Sequence, residues 1–309
     1  MGFAFVFPGQ GSQSVGMMSG FDGLSAVRET FEEAGDILNQ NLWEMVTSGN
    51  AEELNLTVNT QPLMLTAGVA VFRAWNALQG SKPAMLAGHS LGEYTALVAS
   101  GALSFADALP LVRFRAHAMQ EAVAEGVGGM AAILGLDDDV VVAVCAEAAQ
   151  GEVLEAVNFN SPGQVVIAGN KAAVERGMAL AKEKGAKRAL SLPVSVPSHC
   201  ALMRPAADAL TQRLQTISIK APQIPVLHNA DVKSYSDEAA IKDALARQLY
   251  SPVRWVETVR SFASQGIAML AECGPGKVLA GLNKRIDGNM QAFALADEAA
   301  LRLAMDSLK

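Results

Sequence analysis

The sequence has few cysteines and few charged residues. Among its 309 residues there are three cysteines, an odd number at widely separated positions: Cys145, Cys200 and Cys273. This arrangement matches neither a disulfide framework nor the usual spacing of a zinc site. We therefore expect reduced, buried thiols, a cytoplasmic protein, and neither a bound metal nor a cofactor.

The sequence has fewer basic residues than acidic ones. There are 24 lysines and arginines against 31 aspartates and glutamates, which gives a formal net charge of -7 and argues against nucleic-acid binding. The long uncharged run at residues 54–72 contains Asn, Gln, Thr and Pro, so we do not expect it to span a membrane. With 50% hydrophobic residues, the chain can form one large core together with a small inserted domain.

The stretch from Ala84 to Tyr94 predicts a short buried strand, a sharp turn and the start of a helix. Within it, Gly88, Ser90 and Gly92 have the G-x-S-x-G spacing of a nucleophile elbow. Such a turn exposes a serine hydroxyl, and its neighbours must be small because strand and helix crowd together there. The nearby helix N-terminus favours a developing oxyanion.

A second buried strand is predicted at Gly2–Phe7, followed by the loop Pro8–Gln13, which contains two glycines. A dinucleotide-binding fingerprint would need a third glycine where the chain has Ser14. We therefore expect this loop to supply a main-chain N–H to an oxyanion hole beside the elbow.

Helical patterns are predicted over residues 24–49 and 61–79, the second beginning with Gln61-Pro62. A further helix runs from the cap Ser104 to about residue 124. Arg113 and Arg115 flank the apolar stripe of this helix on opposite sides, and periodicity alone does not choose between them.

From residue 126 the pattern changes to strand, helix, two strands, helix and strand, which is typical of a ferredoxin-like unit. We therefore predict an α/β fold with two parts. Residues 1–125 and 195–309 form an α/β-hydrolase-like core with a parallel sheet, and residues 126–194 form an inserted ferredoxin-like subdomain.

A serine nucleophile needs a general base, and the chain has four histidines. His89 is the immediate neighbour of Ser90, so its side chain should point away from the nucleophile. His117 falls within a helix and His228 follows a strand, where either can be structural. His199 lies in a loop between a strand and a helix, and we favour it as the base. No acidic residue stands out to orient it, so a main-chain carbonyl can take that role.

Together, these motifs resemble the malonyl-CoA:acyl carrier protein transacylases of bacterial fatty-acid synthesis. The resemblance extends over nearly the whole chain, in the order of the family's motifs. Its segments are Phe7–Gln13, Thr60–Pro62, Gly88–Tyr94, Arg115 with Met119, Asn160–Gln164, Pro197–His199 and Gly274–Leu279.

The resemblance implies a role for each residue of the site. Ser90 becomes the acylated nucleophile and His199 its base. The main-chain N–H groups of Gln10 and Leu91 form the oxyanion hole, and the main-chain carbonyl of Gln248 orients the histidine.

The same resemblance implies that Arg115 binds the malonyl carboxylate and that the partners are malonyl-CoA and acyl carrier protein. Separately, we expect a monomer. A planar guanidinium suits such a carboxylate, because it forms two parallel hydrogen bonds.

Carrier proteins of this kind are acidic, so docking on a chain of net charge -7 requires a local basic patch. Two clusters qualify: Lys182, Lys184, Lys187 and Arg188 form the first, and Lys284 and Arg285 form the second. We expect Lys187, Arg188, Lys284 and Arg285 to flank the active-site cleft.

Two other classes of function fit the same elbow. One is a serine thioesterase or related hydrolase, in which water replaces the thiol acceptor. The other is a non-catalytic module that binds acyl-CoA or a carrier protein.

Overall fold

A computed structural model describes residues 2–194 and 196–309 of the chain. Residue 195, at the predicted domain junction, and residue 1 lie outside the described residues. Nine strands are described: β1 Gly2–Phe7, β2 Met85–Gly88, β3 Gly128–Leu134, β4 Leu154–Ser161, β5 Gln164–Asn170, β6 Arg188–Ser191, β7 Val226–Leu227, β8 Ile267–Glu272 and β9 Gln291–Ala294.

Thirteen α-helices occur in the same residues. They are α1 Ser25–Leu38, α2 Leu42–Ser48, α3 Ala51–Asn55, α4 Thr57–Ala77, α5 Gly92–Ala99, α6 Phe105–Ala122, α7 Asp138–Ala149, α8 Lys171–Glu183, α9 Arg204–Leu214, α10 Glu238–Gln248, α11 Trp255–Ser264, α12 Val278–Ile286 and α13 Glu298–Ser307. None of the described helices is both long and apolar enough to cross a membrane.

The first sheet has the strand order β7-β2-β1-β8-β9, and every pairing in it is parallel. Residues 3–7 of β1 and all of β2 are buried, as expected for strands covered on both faces. The predicted α/β class with a parallel sheet is therefore confirmed.

The parallel arrangement positions the functional loops. The carboxyl ends of parallel strands meet at one edge of a sheet, where ligands bind in α/β folds. The loop after β1, the elbow after β2 and His228-Asn229 after β7 all leave from this edge.

The second sheet has the order β4-β5-β3-β6 with antiparallel pairings throughout. All its strands lie within residues 128–191, and it shares no strand with the parallel sheet. One face packs on α7 and α8 through a cluster of residues that includes Ile133, Val144 and Val174. The other face contributes Met130 and Val166 to a cluster with Cys200. The ferredoxin-like insert and its boundaries at residues 126 and 194 stay predictions.

Two helix predictions need correction. The region predicted as helical over residues 24–49 contains two helices, because Asn39 ends α1 with φ of 50° and the side chain of Asn41 caps α2 by accepting from Glu44 N–H. Pro62 does not start a helix, since it lies inside α4, which begins at Thr57.

Candidate active site

The nucleophile elbow has the strained geometry that its sequence predicts. Ser90 lies between β2 and α5 with φ of 50°, in the left-handed region that non-glycine residues rarely occupy. A Cβ at Gly88 would collide with the backbone of Gly92, and one at Gly92 would collide with the carbonyl of Phe7. Both glycines are therefore required by close backbone approach.

Ser90 and His199 form a hydrogen-bonded pair. Ser90 Oγ lies 2.8 Å from His199 Nε2, and His199 Nδ1 lies 2.8 Å from the main-chain carbonyl oxygen of Gln248. Because a carbonyl only accepts, Nδ1 carries the proton, and Nε2 accepts from the Ser90 hydroxyl. The imidazole is therefore in the tautomer that a general base needs.

The surroundings of His199 keep its imidazole neutral. The side chain is buried, and desolvation followed by the nearby charge of Arg115 lowers its pKa from 6.5 to about 3. A neutral base is therefore available over the whole physiological pH range.

The other three histidines occupy different environments. His89 Nε2 lies 2.8 Å from Asn160 Oδ1, and His228 Nδ1 lies 2.7 Å from Glu93 Oε1 in the core. His117 is exposed on α6. Of the four histidines, His199 alone is hydrogen-bonded to Ser90 within the described residues.

The two arginines of α6 differ in the structure. Arg115 is 1% exposed, and its Nη2 lies 3.4 Å from Ser90 Oγ. Arg113 is only partly buried and donates to the main-chain carbonyl of Leu38 and to the side chain of Gln40. Packing therefore directs Arg115, not Arg113, to the serine.

The hydrogen-bond partners of Arg115 are neutral. Nη1 donates to Gln61 Oε1 at 2.8 Å and Nη2 to Gln248 Oε1 at 2.9 Å, while the guanidinium carbon lies 5.5 Å from the Tyr94 ring centre. No carboxylate of the described residues forms an ion pair with this cation. Burial lowers the pKa of Arg115, so an anion beside Ser90 would be strongly favoured.

Gln10 and Leu91 line the same cavity as Ser90 and His199. No hydrogen-bond acceptor for the main-chain N–H of either residue is found in residues 2–194 and 196–309. A Cβ built on Gly9 would lie 3.6 Å from the Leu91 nitrogen, which places the loop after β1 against the elbow. Both N–H groups are thus available to an oxyanion.

The cavity lies between the two sheets. From the core it is lined by the residues already described, together with Thr57, Gln61 and Met119. From the second sheet and the segment after it come Met130, Asn158, Leu192 and Val194. The described residues contain no group of three or more His, Cys, Asp or Glu that could hold a metal ion.

None of the four predicted docking residues lines this cavity. Arg188 of β6 pairs with Leu134 of β3, and Leu134 pairs with Gln164 of β5. The side chain of Gln164 accepts a hydrogen bond from Arg285 at 3.0 Å.

The two basic clusters therefore meet at one end of the second sheet, because Lys187 and Lys284 are the chain neighbours of the two arginines. Met130, four residues before Leu134, does line the cavity, which puts the basic end about 13 Å away along the strand.

Sequence reasoning missed two groups that contact Ser90. Asn229 Oδ1 accepts from the Ser90 main-chain N–H at 2.7 Å, and the Gln248 side chain donates to the Ser90 carbonyl at 3.0 Å. Only the position of Asn229, just past the strand β7, could have pointed to it.

The fold and the site together define a class of protein: an α/β protein in which the serine of a nucleophile elbow lies between a histidine and a buried arginine. Residues 4–296 match the family described as "Acyl transferase domain". The chain therefore belongs to the acyl transferase family.

Individual relatives of the chain within this family are malonyl transferases. The chain is 58% identical over 304 residues to the malonyl CoA-acyl carrier protein transacylase of Salmonella typhimurium, covering 98% of each chain. An acyl-carrier-protein S-malonyltransferase from Burkholderia pseudomallei superposes with a TM-score of 0.98 at 61% identity, covering 99% of this chain and 100% of the other. A malonyl-transacylase in complex with its type II PKS acyl carrier protein has a TM-score of 0.98 at 52% identity, with the same coverage.

Proposed function

We propose that this chain transfers the malonyl group from malonyl-CoA to the phosphopantetheine thiol of an acyl carrier protein, through a malonyl-Ser90 intermediate. The observation that carries this proposal is the position of one serine between a neutral histidine and a buried arginine. Ser90 Oγ lies 2.8 Å from His199 Nε2 and 3.4 Å from Arg115 Nη2.

In the first half-reaction, Ser90 Oγ attacks the thioester carbonyl of malonyl-CoA while His199 Nε2 takes the hydroxyl proton. The carbonyl oxygen becomes an oxyanion and accepts from the free N–H groups of Gln10 and Leu91. The carbon–sulfur bond then breaks, His199 returns its proton to the sulfur, and coenzyme A leaves as the thiol.

Arg115 selects the acyl group. Its guanidinium pairs with the malonyl carboxylate, which supplies the negative partner that the described residues do not provide. An acetyl group would leave this cation buried without a counter-charge, a costly arrangement. Gln61 and Gln248 hold the guanidinium in place from two sides.

In the second half-reaction, the thiol of the carrier protein takes the place of coenzyme A. His199 removes the thiol proton as the sulfur attacks the acyl-serine carbonyl, and the Ser90 oxygen leaves and recovers a proton from His199. The product is the malonyl thioester of the carrier protein, and the reaction is ping-pong.

The carrier protein docks on the basic end of the second sheet, at Lys187, Arg188, Lys284 and Arg285. Support comes from the contact between Arg285 and Gln164, which brings the two clusters together. A patch of this size attracts an acidic partner locally, within about 10 Å at ordinary salt, although the whole chain is negative.

The proposal extends to cellular context and organisation. The chain acts in the cytoplasm as a monomer and supplies malonyl thioester to fatty-acid biosynthesis. Residues 126–194 act as an inserted ferredoxin-like subdomain that covers the cavity, since Met130 and Leu192 line one side of it.

A mass measurement of the intact protein after mixing with malonyl-CoA tests this function. The transferase predicts an added malonyl group on a Ser90 peptide, stable until a thiol acceptor is supplied. Rapid release of free malonate would instead identify a hydrolase, and no adduct at all would identify a binding module.

A further inference from the structure

The backbone of the elbow is held by a buried group that no step of the reaction uses. Asn229 is 1% exposed and does not line the cavity. Its Oδ1 accepts from the Ser90 main-chain N–H at 2.7 Å, and its Nδ2 donates to the Gly88 carbonyl at 2.6 Å. The Asn229 carboxamide therefore forms a hydrogen bond with a main-chain group on each side of residue 89.

Asn229 is itself fixed by the helix that follows the nucleophile. Its main-chain N–H donates to Glu93 Oε2 at 2.8 Å, and Glu93 Oε1 lies 2.7 Å from His228 Nδ1. Glu93 and His228 are completely buried. Because Glu93 is the second residue of α5, the contact ties β7 to the helix that starts at the elbow.

The main-chain carbonyl of Ser90 is also held. It accepts from Gln248 Nε2 at 3.0 Å and from the main-chain N–H of Glu93 at 3.0 Å. In a planar trans peptide, the C=O and the following N–H point in opposite directions. The Leu91 N–H therefore points away from Gln248, and any rotation of the Ser90 backbone away from its φ of 50° would change the direction of this N–H.

We infer that Asn229 is a positioning residue for acyl transfer, since its carboxamide keeps Ser90 in the left-handed conformation. Without it, the Ser90 peptide can relax from its strained geometry. That relaxation moves the hydroxyl from His199 and turns the Leu91 N–H away from the oxyanion. The choice of malonyl-CoA as the substrate rests on the proposed function. The geometric argument concerns only the reactivity of Ser90.

The first test compares Asn229→Ala with Asn283→Ala. Asn283 is an equally buried asparagine whose Oδ1 accepts from Trp255 at 3.0 Å, outside the cavity. Both variants should lose stability, so both are assayed well below the melting temperature of the weaker one. We expect Asn229→Ala to acylate about 100-fold more slowly at saturating malonyl-CoA, which is the loss expected when a reacting group such as the Ser90 hydroxyl is displaced by about 1 Å. The half-saturating concentration of malonyl-CoA should stay within about twofold of the wild-type value, because Asn229 lies outside the cavity.

A second variant keeps the test decisive if Asn229→Ala does not fold. Asn229→Asp retains an acceptor for the Ser90 N–H but loses the donor to Gly88. It should acylate more slowly than wild type and faster than any folded Asn229→Ala protein. Wild-type acylation rates in the folded Asn229 variants would overturn the inference, as would an equal loss in Asn283→Ala.

A readout independent of malonyl transfer separates this inference from the proposed function. Phenylmethylsulfonyl fluoride reacts with an activated serine: a sulfur–oxygen bond forms at Ser90, fluoride leaves, and His199 takes the proton. Sulfonylation should be slowed in the Asn229 variants and unchanged in Asn283→Ala. If wild type is sulfonylated but transfers no malonyl group, the proposed function fails, and the order of sulfonylation rates still decides the role of Asn229.

Discussion

Arg115 Nη2 approaches Ser90 Oγ to 3.4 Å, so the cation that we assign to substrate recognition lies directly beside the nucleophile. In the proposed reaction, recognition of the acyl group and attack on it therefore take place within a few ångströms of each other. A carboxylate that binds Arg115 brings with it the carbonyl carbon that Ser90 attacks, which is how binding energy lowers a reaction barrier by positioning.

Arg115→Ala should lower kcat/KM for malonyl-CoA by about 100-fold or more, since hydrogen bonds to charged groups contribute about 1.5–3 kcal/mol each. Activity with acetyl-CoA relative to malonyl-CoA should rise, because the unpaired buried cation is gone. Parallel kinetics with the two substrates measure both effects. Arg113→Ala is the matched control and should keep the wild-type preference; identical behaviour of the two variants would place the carboxylate elsewhere.

Ser90→Ala should abolish acyl-enzyme formation, and His199→Ala should slow it by about a thousandfold or more, as in other nucleophile–base pairs. Rapid-quench measurement of the acyl-enzyme gives both rates. His117→Ala is a control on an exposed helix face and should be unaffected. Near-normal acylation in His199→Ala would contradict the assignment of the base.

The pH dependence of acylation should reflect the lowered pKa of His199. A base with the ordinary pKa of 6.5 would be only about 10% neutral at pH 5.5, whereas one with a pKa of about 3 stays neutral there. We therefore expect sulfonylation of Ser90 to be nearly as fast at pH 5.5 as at pH 7.5. A rate that falls tenfold between those values would contradict the description of a desolvated base.

Arg115→Met supplies the control for this profile. The charge of Arg115 is the second cause of the lowered pKa, after burial. Removing it should raise the pKa of His199 and move the acidic fall in rate toward higher pH. Sulfonyl fluoride is the suitable probe, because its reaction does not need the carboxylate site.

Much of the catalytic centre could be predicted from the sequence because short-range constraints determine it. The glycine spacing around Ser90 reflects the close approach of strand and helix, and a loop after a parallel strand is where such folds place reactive groups. These arguments led to the elbow, to the loop containing Gln10 and to His199.

The choice between Arg113 and Arg115 could not be made in this way. Both flank one helix stripe, and the outcome depends on partners far along the chain, Gln61 on α4 and Gln248 at the end of α10. The contact of Asn229 with Ser90 could not be predicted for the same reason, since it spans 139 residues of sequence. Long-range packing of this kind leaves no local pattern.

Reversal of charge should locate the carrier-protein surface. Lys187→Glu with Arg188→Glu should raise the KM for the carrier protein several-fold and weaken its dependence on salt, with little change in acylation by malonyl-CoA. Lys284→Glu with Arg285→Glu should act in the same way.

Lys82→Glu with Lys220→Glu makes the same change in net charge at exposed positions outside both clusters, and should leave that KM unchanged. Equal effects of all three double variants would show that only overall charge matters. An unchanged KM in both cluster variants would place docking on another surface.

Transfer from isolated malonyl-enzyme tests the central claim most directly. The protein is labelled with malonyl-CoA carrying a radioactive malonyl group, freed of coenzyme A by gel filtration, and mixed with phosphopantetheine-bearing acyl carrier protein. We predict that the label moves from Ser90 to the carrier-protein thiol in one turnover, faster than it appears as free malonate. Label that remains on the protein, or that is released as malonate whether or not the carrier protein is present, would contradict the assignment.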